Sequence, residues 1–270
     1  MRKALLMLSI SLILACISTG CGGQRSAPGT LQFYAGGGDI VRQGLLSKDG
    51  WQLTYDHVYV TMAEITAYQT DPPYDPVYSA DIIHYEISTA LDGEYTVDLS
   101  SGEGSSLLVG EATGVETGAY NALSWKMVSA AAGDAAGYSL VLIGKAEKEG
   151  QAIDFTIKLD WEAKFLCGDY FVPGADLRAQ KGRLDPGGAA DLEMTFALDS
   201  VFGDGTSHAT SVLNRAALGF EPFAALAQGN LLDVDLGGLQ EALSDDDYQT
   251  LQQTLTEVGY TGARLCYHME

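Results

Sequence analysis

Four histidines carry the most versatile chemistry in this chain. His57 lies in the segment Tyr-Asp-His-Val-Tyr and His84 in the segment Ile-His-Tyr-Glu, so each has a carboxylate nearby in sequence. His208 follows a Gly-Asp-Gly turn, and His268 lies two residues after Cys266. A neutral imidazole binds copper or zinc, and a carboxylate can orient its ring. The spacing matches no metal motif, so any metal site must be assembled through space.

We predict His57 and His84 as the first candidates for metal ligands, with copper or zinc as the metal. For each histidine the alternative is a surface or hydrogen-bonded strand residue. An acidic triplet, Asp245-Asp246-Asp247, also resembles a cation site. Because it directly follows Ser244, it is better explained as a capped helix start with acids in the first turn.

The motifs of common enzyme classes are absent from the sequence. It contains no G-x-S-x-G, no H-E-x-x-H, no phosphate loop and no dinucleotide fingerprint. We therefore predict that the protein is not an enzyme. The alternative is a hydrolase that uses a carboxylate pair, because the separation of such a pair is spatial and leaves no sequence signature in so acidic a chain.

Two cysteines in the body of the chain predict a disulfide. Cys167 and Cys266 stand alone, with no C-x-x-C pair. In an oxidising compartment, two such cysteines are expected first to form a disulfide. Here the disulfide would close a loop of about 100 residues and stabilise the fold by roughly 4 kcal/mol. It would also bring His268 near the sheet. The alternative is a thiolate metal site.

The N-terminus has the anatomy of an export signal. Arg2 and Lys3 precede an apolar run, 4–17, which is shorter than the roughly 20 residues of a membrane-spanning helix. The run ends in Ser-Thr-Gly before Cys21, as expected for a lipoprotein signal. We predict a signal peptide at 1–20, lipidation of Cys21 and a tether at 21–30. Lipidation at Cys16 and ordinary signal cleavage are the alternatives.

Charge and the predicted anchor limit the partners. A formal charge of −21 repels nucleic acid, so we expect no nucleic-acid partner. A lipid anchor attaches the protein to a membrane without a transmembrane helix. The predicted location is the cell envelope, facing the periplasm or the cell surface.

The pattern of residues 31–202 predicts a β-sandwich. Glycine or proline punctuation recurs about every ten residues, which is typical of all-β sandwiches. We predict separate strands at 51–55 and 57–68, a hairpin between 137–146 and 152–159, a long loop at 164–191, and a last strand at 191–202. The fold class is therefore mainly β.

The pattern changes after residue 202. Residues 216–227, 236–243 and 245–258 predict helices, the first interrupted by Pro222. We predict that 203–270 is a small helical extension packed on the sandwich.

The order of strands resembles a known family. It is similar to the order in the MbnP-like periplasmic copper-binding proteins. The similarity rests on residues 57–68, the Val-Asp-Leu strand at 95–99, the strand at 107–109, the Gly-x-Tyr-x-x-Leu strand at 118–123, and then 137–140, 155–157, Cys167 and 191–202. The stretch 55–202 also resembles uncharacterised bacterial lipoproteins with carbohydrate-binding-like or transthyretin-like sandwiches. The resemblance implies a periplasmic sandwich that holds a metal and acts with an envelope redox or transport partner. The family's histidine-rich segment reads Ile-Lys-Leu-Asp-Trp at 157–161, so no ligands carry over.

Together these patterns predict a non-catalytic, lipid-anchored β-sandwich that binds a ligand or a protein partner. A copper- or zinc-binding lipoprotein is the second interpretation, and a hydrolase is the third.

Overall fold

A computed structural model describes residues 27–79, 84–102, 104, 106–168, 181–261 and 266–269. The predicted signal peptide, Cys16, Cys21 and residues 21–26 of the predicted tether lie outside the described residues. The last two tether residues, Gly29 and Thr30, already belong to the first strand. Among the described residues, no helix combines the length and the apolar character needed to cross a bilayer.

The described residues form strands and short helices along the whole chain. The strands are β1 (Gly29–Gly36), β2 (Leu45–Leu46), β3 (Gln52–Gln69), β4 (Ile87–Asp98), β5 (Leu107–Val115), β6 (Gly118–Ala119), β7 (Ala122–Met127), β8 (Leu140–Lys148), β9 (Gln151–Leu159), β10 (Ala163–Gly168), β11 (Arg183–Leu184), β12 (Ala189–Phe196), β13 (Leu231–Asp235), β14 (Gly259–Tyr260) and β15 (Cys266–Met269). The helices are α1 (Gly38–Gln43), α2 (Asp199–Phe202), α3 (Val212–Ala216), α4 (Glu221–Ala224), α5 (Leu236–Ala242) and α6 (Asp245–Leu255).

Two sheets enclose the core, which confirms the predicted mainly β fold and its sandwich character. One has the order β14-β12-β1-β5, and the other runs β13-β9-β8-β3-β7-β10-β15 with β2 and β4 also paired to β3. Side chains alternate between the two faces of a strand. Accordingly Leu31 and Phe33 of β1 and Val58, Val60 and Met62 of β3 are fully buried in one cluster.

The long strand β3 organises the larger sheet. β4 pairs along one of its edges, while β8 and then β7 pair along the other. The two strands predicted at 51–55 and 57–68 are therefore one strand. Its register shifts at Asp56 and again at Glu64, which has a φ of 52°. A bulge of this kind bends a strand without ending it, which is why the sequence pattern broke there.

The predicted hairpin is confirmed between β8 and β9. Its turn residues Glu149 and Gly150 both have positive φ, 49° and 85°, as a two-residue hairpin turn of the primed type requires. Leu140 pairs with Leu159 at the open end of the hairpin.

The prediction of a long loop at 164–191 is wrong at both ends. β10 occupies 163–168 and pairs with β7 and β15, so Cys167, which the prediction placed within the loop, lies in a strand. Residues 169–180 of the predicted loop lie outside the described residues. β12 begins at Ala189. The predicted strand at 191–202 ends at Phe196, because the chain turns into α2 at Asp199.

The predicted disulfide partners face each other in the larger sheet. Cys167 of β10 is the register partner of Cys266 of β15, with a Cα–Cα distance of 4.2 Å, and the two sulfurs are at disulfide distance. The same pairing places His268 opposite Phe165, so the expectation that His268 lies near the sheet is confirmed.

The C-terminal region packs on the sandwich and also completes it. The predicted helix at 216–227 is replaced by α3 and α4, and the one at 245–258 ends at Leu255. Besides helices, the region contributes β13 and β15 to the larger sheet and β14 to the smaller one. An aromatic cluster beneath the helices joins it to the sandwich through rings 5.5–5.9 Å apart, formed by Trp51, Phe155, Phe202, Phe220 and Phe223.

The sandwich has two distinguishable ends. At the tether end the Ala27 carbonyl accepts a hydrogen bond from Gly187, and Gly29 pairs with Val115. Gln69, the last residue of β3, contacts the same region through the Thr117 carbonyl, 3.4 Å from its Nε2. At the distal end β1 leads into α1. Because strands rise about 3.3 Å per residue, β1 alone separates the two ends by roughly 25 Å.

Candidate functional site

His57 and Asp98 form a hydrogen-bonded pair toward the distal end. The bulge at Asp56 sets the position of His57 on β3, and Asp98 is the last residue of β4, where it pairs with Tyr59. His57 Nδ1 lies 2.8 Å from Asp98 Oδ2. The histidine side chain is 47% exposed and the aspartate side chain 17% exposed, so the imidazole stands at the surface on a largely covered carboxylate.

Asp98 is itself held in place by a turn at the end of β4. Its Oδ1 accepts hydrogen bonds from the Val58 amide at 3.0 Å and the Ser100 amide at 3.1 Å, and lies 2.7 Å from the Ser100 hydroxyl. Burial alone would raise the pKa of Asp98, but the hydrogen bonds from His57, Ser100 and the backbone outweigh it and hold the pKa below its usual value. Asp98 is therefore a fixed carboxylate at neutral pH.

The surroundings favour the protonated form of His57. The hydrogen bond to Asp98 raises the pKa of His57; slight burial opposes this, and the charges of Asp98, Asp56 and Asp134 add to it. Since Nδ1 is occupied by Asp98, the exposed edge of the ring presents Nε2. The site is thus an oriented imidazole among three carboxylates.

The Tyr59 ring stacks against the imidazole of His57. The two rings are nearly parallel, with centroids 5.3 Å apart and planes 16° apart. The Tyr59 hydroxyl donates to Asp134 Oδ2 at 3.4 Å. Burial and the charges of Asp134 and Asp98 raise the pKa of Tyr59, so its phenol stays neutral. We call His57, Tyr59, Asp98 and Asp134 the His57 site.

The His57 site lacks the arrangement of a nucleophilic enzyme. Ser100 donates to the carboxylate, or to the Asp56 carbonyl 2.9 Å away, and not to the imidazole. A serine activated for attack has to be hydrogen-bonded to the base itself. The geometry suits binding: Nε2 can accept or donate a hydrogen bond or bind a metal, and the carboxylates attract cationic groups.

The structure does not bring His57 and His84 together. His84 is an exposed residue preceding β4, at the tether end, where the amide of Glu86 bonds to the Gln69 carbonyl. Because β3 and β4 are antiparallel, the end of β4 meets His57 while its beginning meets Gln69. The ten steps along β3 from Tyr59 to Gln69 span about 33 Å, too far for one metal ion to bind both histidines.

The other candidate ligands have structural roles. His208 is exposed, with Nδ1 2.8 Å from the Thr210 hydroxyl, in a turn closed by Asn214. His268 packs its ring against Phe165 with centroids 6.0 Å apart. Among the described residues, no three His, Cys, Asp or Glu side chains are placed to hold a metal ion.

The acidic triplet is the helix cap that the sequence predicted. The Ser244 hydroxyl accepts from the Asp247 amide at 3.1 Å, and α6 carries Asp245, Asp246 and Asp247 in its first turn. The acids therefore lie at the positive end of the helix dipole, where negative charge is favourable.

Asp98, Tyr59 and Asp134 were not singled out by the sequence. Asp98 lies 41 residues from His57 and meets it only through the β3–β4 register. One usable signal was present: an aspartate followed at 100–101 by two serines is typical of a turn in which the carboxylate binds backbone amides.

No family model matches the chain, and neither a curated protein nor a solved structure is significantly similar to it.

Proposed function

We propose that this protein is a lipid-anchored cell-envelope protein that binds a ligand or a protein partner, without catalysis, at the His57 site. The observation that carries the proposal is the arrangement of the two ends. The chain enters the sandwich at the tether end, whereas the oriented imidazole stands toward the distal end. An anchor at Cys21 would therefore hold the protein with the His57 site away from the membrane.

The chemistry of the site indicates what it would bind. Asp56 and Asp134 surround the imidazole with negative charge, and the whole chain carries a net charge of −21. Such a field attracts cations and basic segments and repels nucleic acid. A ligand or a partner surface that combines a cationic group with a hydrogen-bonding group fits best, because the carboxylates attract the cation and Nε2 of the imidazole can donate or accept a hydrogen bond.

Histidine NMR tests the proposal directly. The ring-proton resonances of the four histidines would be followed while polyamines, basic peptides and neutral oligosaccharides are added, with His57→Gln used to assign the His57 signal. We expect a cationic compound to shift the His57 signal and leave that of His208, which is also exposed to solvent, unchanged. The binding should weaken severalfold in Asp134→Asn. A panel that shifts all exposed histidines equally, or none, contradicts the proposed site.

A copper- or zinc-binding lipoprotein is the second candidate. The observation that favours it is the Asp98–Nδ1 hydrogen bond, since metal-binding histidines commonly donate their other ring nitrogen to a carboxylate. The resemblance of residues 55–202 to MbnP-like copper-binding proteins also supports it. That resemblance implies that the protein would act with an envelope redox or transport partner. Here His57 would bind the metal through Nε2, without His84.

Metal titration separates the two candidates. Isothermal titration with Cu²⁺ and Zn²⁺ would compare the wild type with His57→Ala, His84→Ala and, as a matched exposed histidine, His208→Ala. The metal candidate predicts that only His57→Ala abolishes a stoichiometric site. Equal binding in wild type and His57→Ala rules it out.

The anchor has its own test. Cells given labelled palmitate should incorporate label into the wild type and Cys16→Ala but not into Cys21→Ala. Label retained in Cys21→Ala and lost in Cys16→Ala would move the anchor to Cys16. Absence of label from every form would rule out the lipid anchor, and recovery of a mature chain without residues 1–20 would then identify ordinary signal cleavage.

A further inference from the structure

Apolar and aromatic side chains are exposed at the tether end. In the loop after β3, Val77 is 58% and Tyr78 85% exposed, and Tyr85, shortly before β4, is 54% exposed. We call these three residues the aromatic tip. Their exposure leaves apolar surface in water, which is unfavourable unless something covers it.

A supported loop displays the aromatic tip. The Tyr74 amide donates to the Thr70 hydroxyl at 3.0 Å, and its own hydroxyl donates to the Ser79 carbonyl at 2.8 Å. Thr70 is in turn bound twice by the Asn121 side chain. Asn121 Oδ1 accepts a hydrogen bond from the Thr70 amide, and Asn121 Nδ2 donates one to the Thr70 carbonyl. With Tyr74 buried beneath it, Tyr78 points outward from a hydrogen-bonded base.

Tyr85 is held beside the same loop. Its ring meets that of Tyr68 edge-on, with centroids 5.3 Å apart and planes 64° apart. The next residue, Glu86, donates its amide to the Gln69 carbonyl at 3.0 Å. The two parts of the tip therefore lie at the end of β3, beside the point where the chain enters the sandwich.

The length of the tether decides what this end of the molecule faces. Ala27 is six positions after Cys21, and six steps of chain span at most about 20 Å when fully extended. A lipid on Cys21 therefore keeps Ala27 within roughly that distance of the bilayer. Gly29 pairs with Val115, and Gln69 contacts the Thr117 carbonyl two residues further on, so the end of β3 that carries the aromatic tip is on the side of the sandwich that an anchor at Cys21 would hold toward the membrane.

We propose that the aromatic tip inserts into the headgroup region of the bilayer that carries the anchor. Tyrosine is favoured at membrane–water interfaces because its ring prefers the apolar side and its hydroxyl the polar side. The inference rests on the proposed function, since it requires Cys21 to be acylated. It adds a second contact, which would fix the orientation of the sandwich and present the His57 site away from the membrane.

Site-specific labelling of the lipidated, full mature protein tests the inference. A fluorescent thiol label would be attached to Tyr78→Cys, to Tyr85→Cys, and to Leu231→Cys as control. Leu231 is also an exposed apolar residue (56%), and its partner Asp154 lies opposite Lys145, toward the distal end. The native cysteines do not interfere, because Cys21 is acylated and Cys167 is paired with Cys266. The vesicles would be zwitterionic phosphatidylcholine, since Asp71, Asp75 and Glu86 near the tip repel anionic lipid.

The outcomes separate the tip from the anchor. We expect nitroxide lipids to quench the labels at 78 and 85 at least about threefold more than the label at 231, with acrylamide from the aqueous phase showing the reverse order. Equal quenching at 78 and 231 in protein that floats with the vesicles overturns the aromatic tip and leaves the anchor standing. Protein that carries no acyl mass and does not float overturns both.

Discussion

Asp98 determines what the imidazole of His57 can do. The carboxylate is fixed by two backbone amides and the Ser100 hydroxyl on one oxygen, so its other oxygen remains for His57 Nδ1. An exposed histidine without such a partner would sample several rotamers and both tautomers. The pair thus converts a common surface residue into a group with a defined direction.

Replacing Asp98 by asparagine should lower the pKa of His57. Asparagine keeps the shape and can still accept a hydrogen bond, but it removes the negative charge and the charge-assisted bond that raise the pKa in the wild type. The measurement is a pH titration of the His57 ring protons by NMR. Asp134→Asn, which removes only a more distant charge, should lower the pKa by less; an equal effect of the two variants would contradict the central role of Asp98.

The same pair makes stability depend on pH. The pKa of His57 is raised on folding, so its contribution is full below the unfolded value of about 6.5 and is lost as pH rises through the folded value. The pKa of Asp98 is lowered, so its contribution is present above about 4 and is lost as pH falls. We expect the free energy of unfolding of the wild type to exceed that of Asp98→Asn most near pH 5 and less at pH 8, as measured by urea denaturation. A larger difference at pH 8 would contradict the pairing.

At the scale of elements, close contact between β3 and β8 depends on Gly144. A Cβ at this position would collide with the Thr54 carbonyl and touch the Phe155 ring. Gly144→Ala should therefore destabilise the protein by about 1–3 kcal/mol, the usual result of overpacking. Gly237→Ala is the matched control: Gly237 is an exposed residue of α5 with space around it, and alanine there should leave the stability unchanged or raise it by up to about 1 kcal/mol. Denaturant melts measure both, and equal midpoints for the two variants would refute the contact.

Elements with a complete local signal were predictable from the sequence, and those defined by distant partners were not. The β8–β9 hairpin was found because alternating apolar residues flank a Glu-Gly turn. β10 was assigned to a loop because its six residues carry no clear alternation, and it is a strand only between β7 and β15. In the site, His57 was identifiable by residue type. Its partner Asp98 was not, because only the strand register brings it there.

At the scale of the whole molecule, the disulfide attaches the last described strand to the sheet. Cys167 and Cys266 are 99 residues apart, and loss of a cross-link closing a loop of about that length costs roughly 4–5 kcal/mol in the chain-entropy model. Cys167→Ala with Cys266→Ala should lower the midpoint of denaturation accordingly, and a reducing agent should lower the wild-type midpoint by a similar amount. A midpoint insensitive to both treatments would show that the cross-link contributes nothing to stability.

The final segment of the chain supplies one outer strand to each sheet: β14 beside β12, and β15 beside β10. In addition, the first strand, β1, pairs in parallel with β12, about 160 positions later. Neither sheet therefore has all of its described strands until residues 259–269 are present. A version truncated after residue 202 should therefore aggregate through its uncovered strand edges rather than fold as a smaller domain.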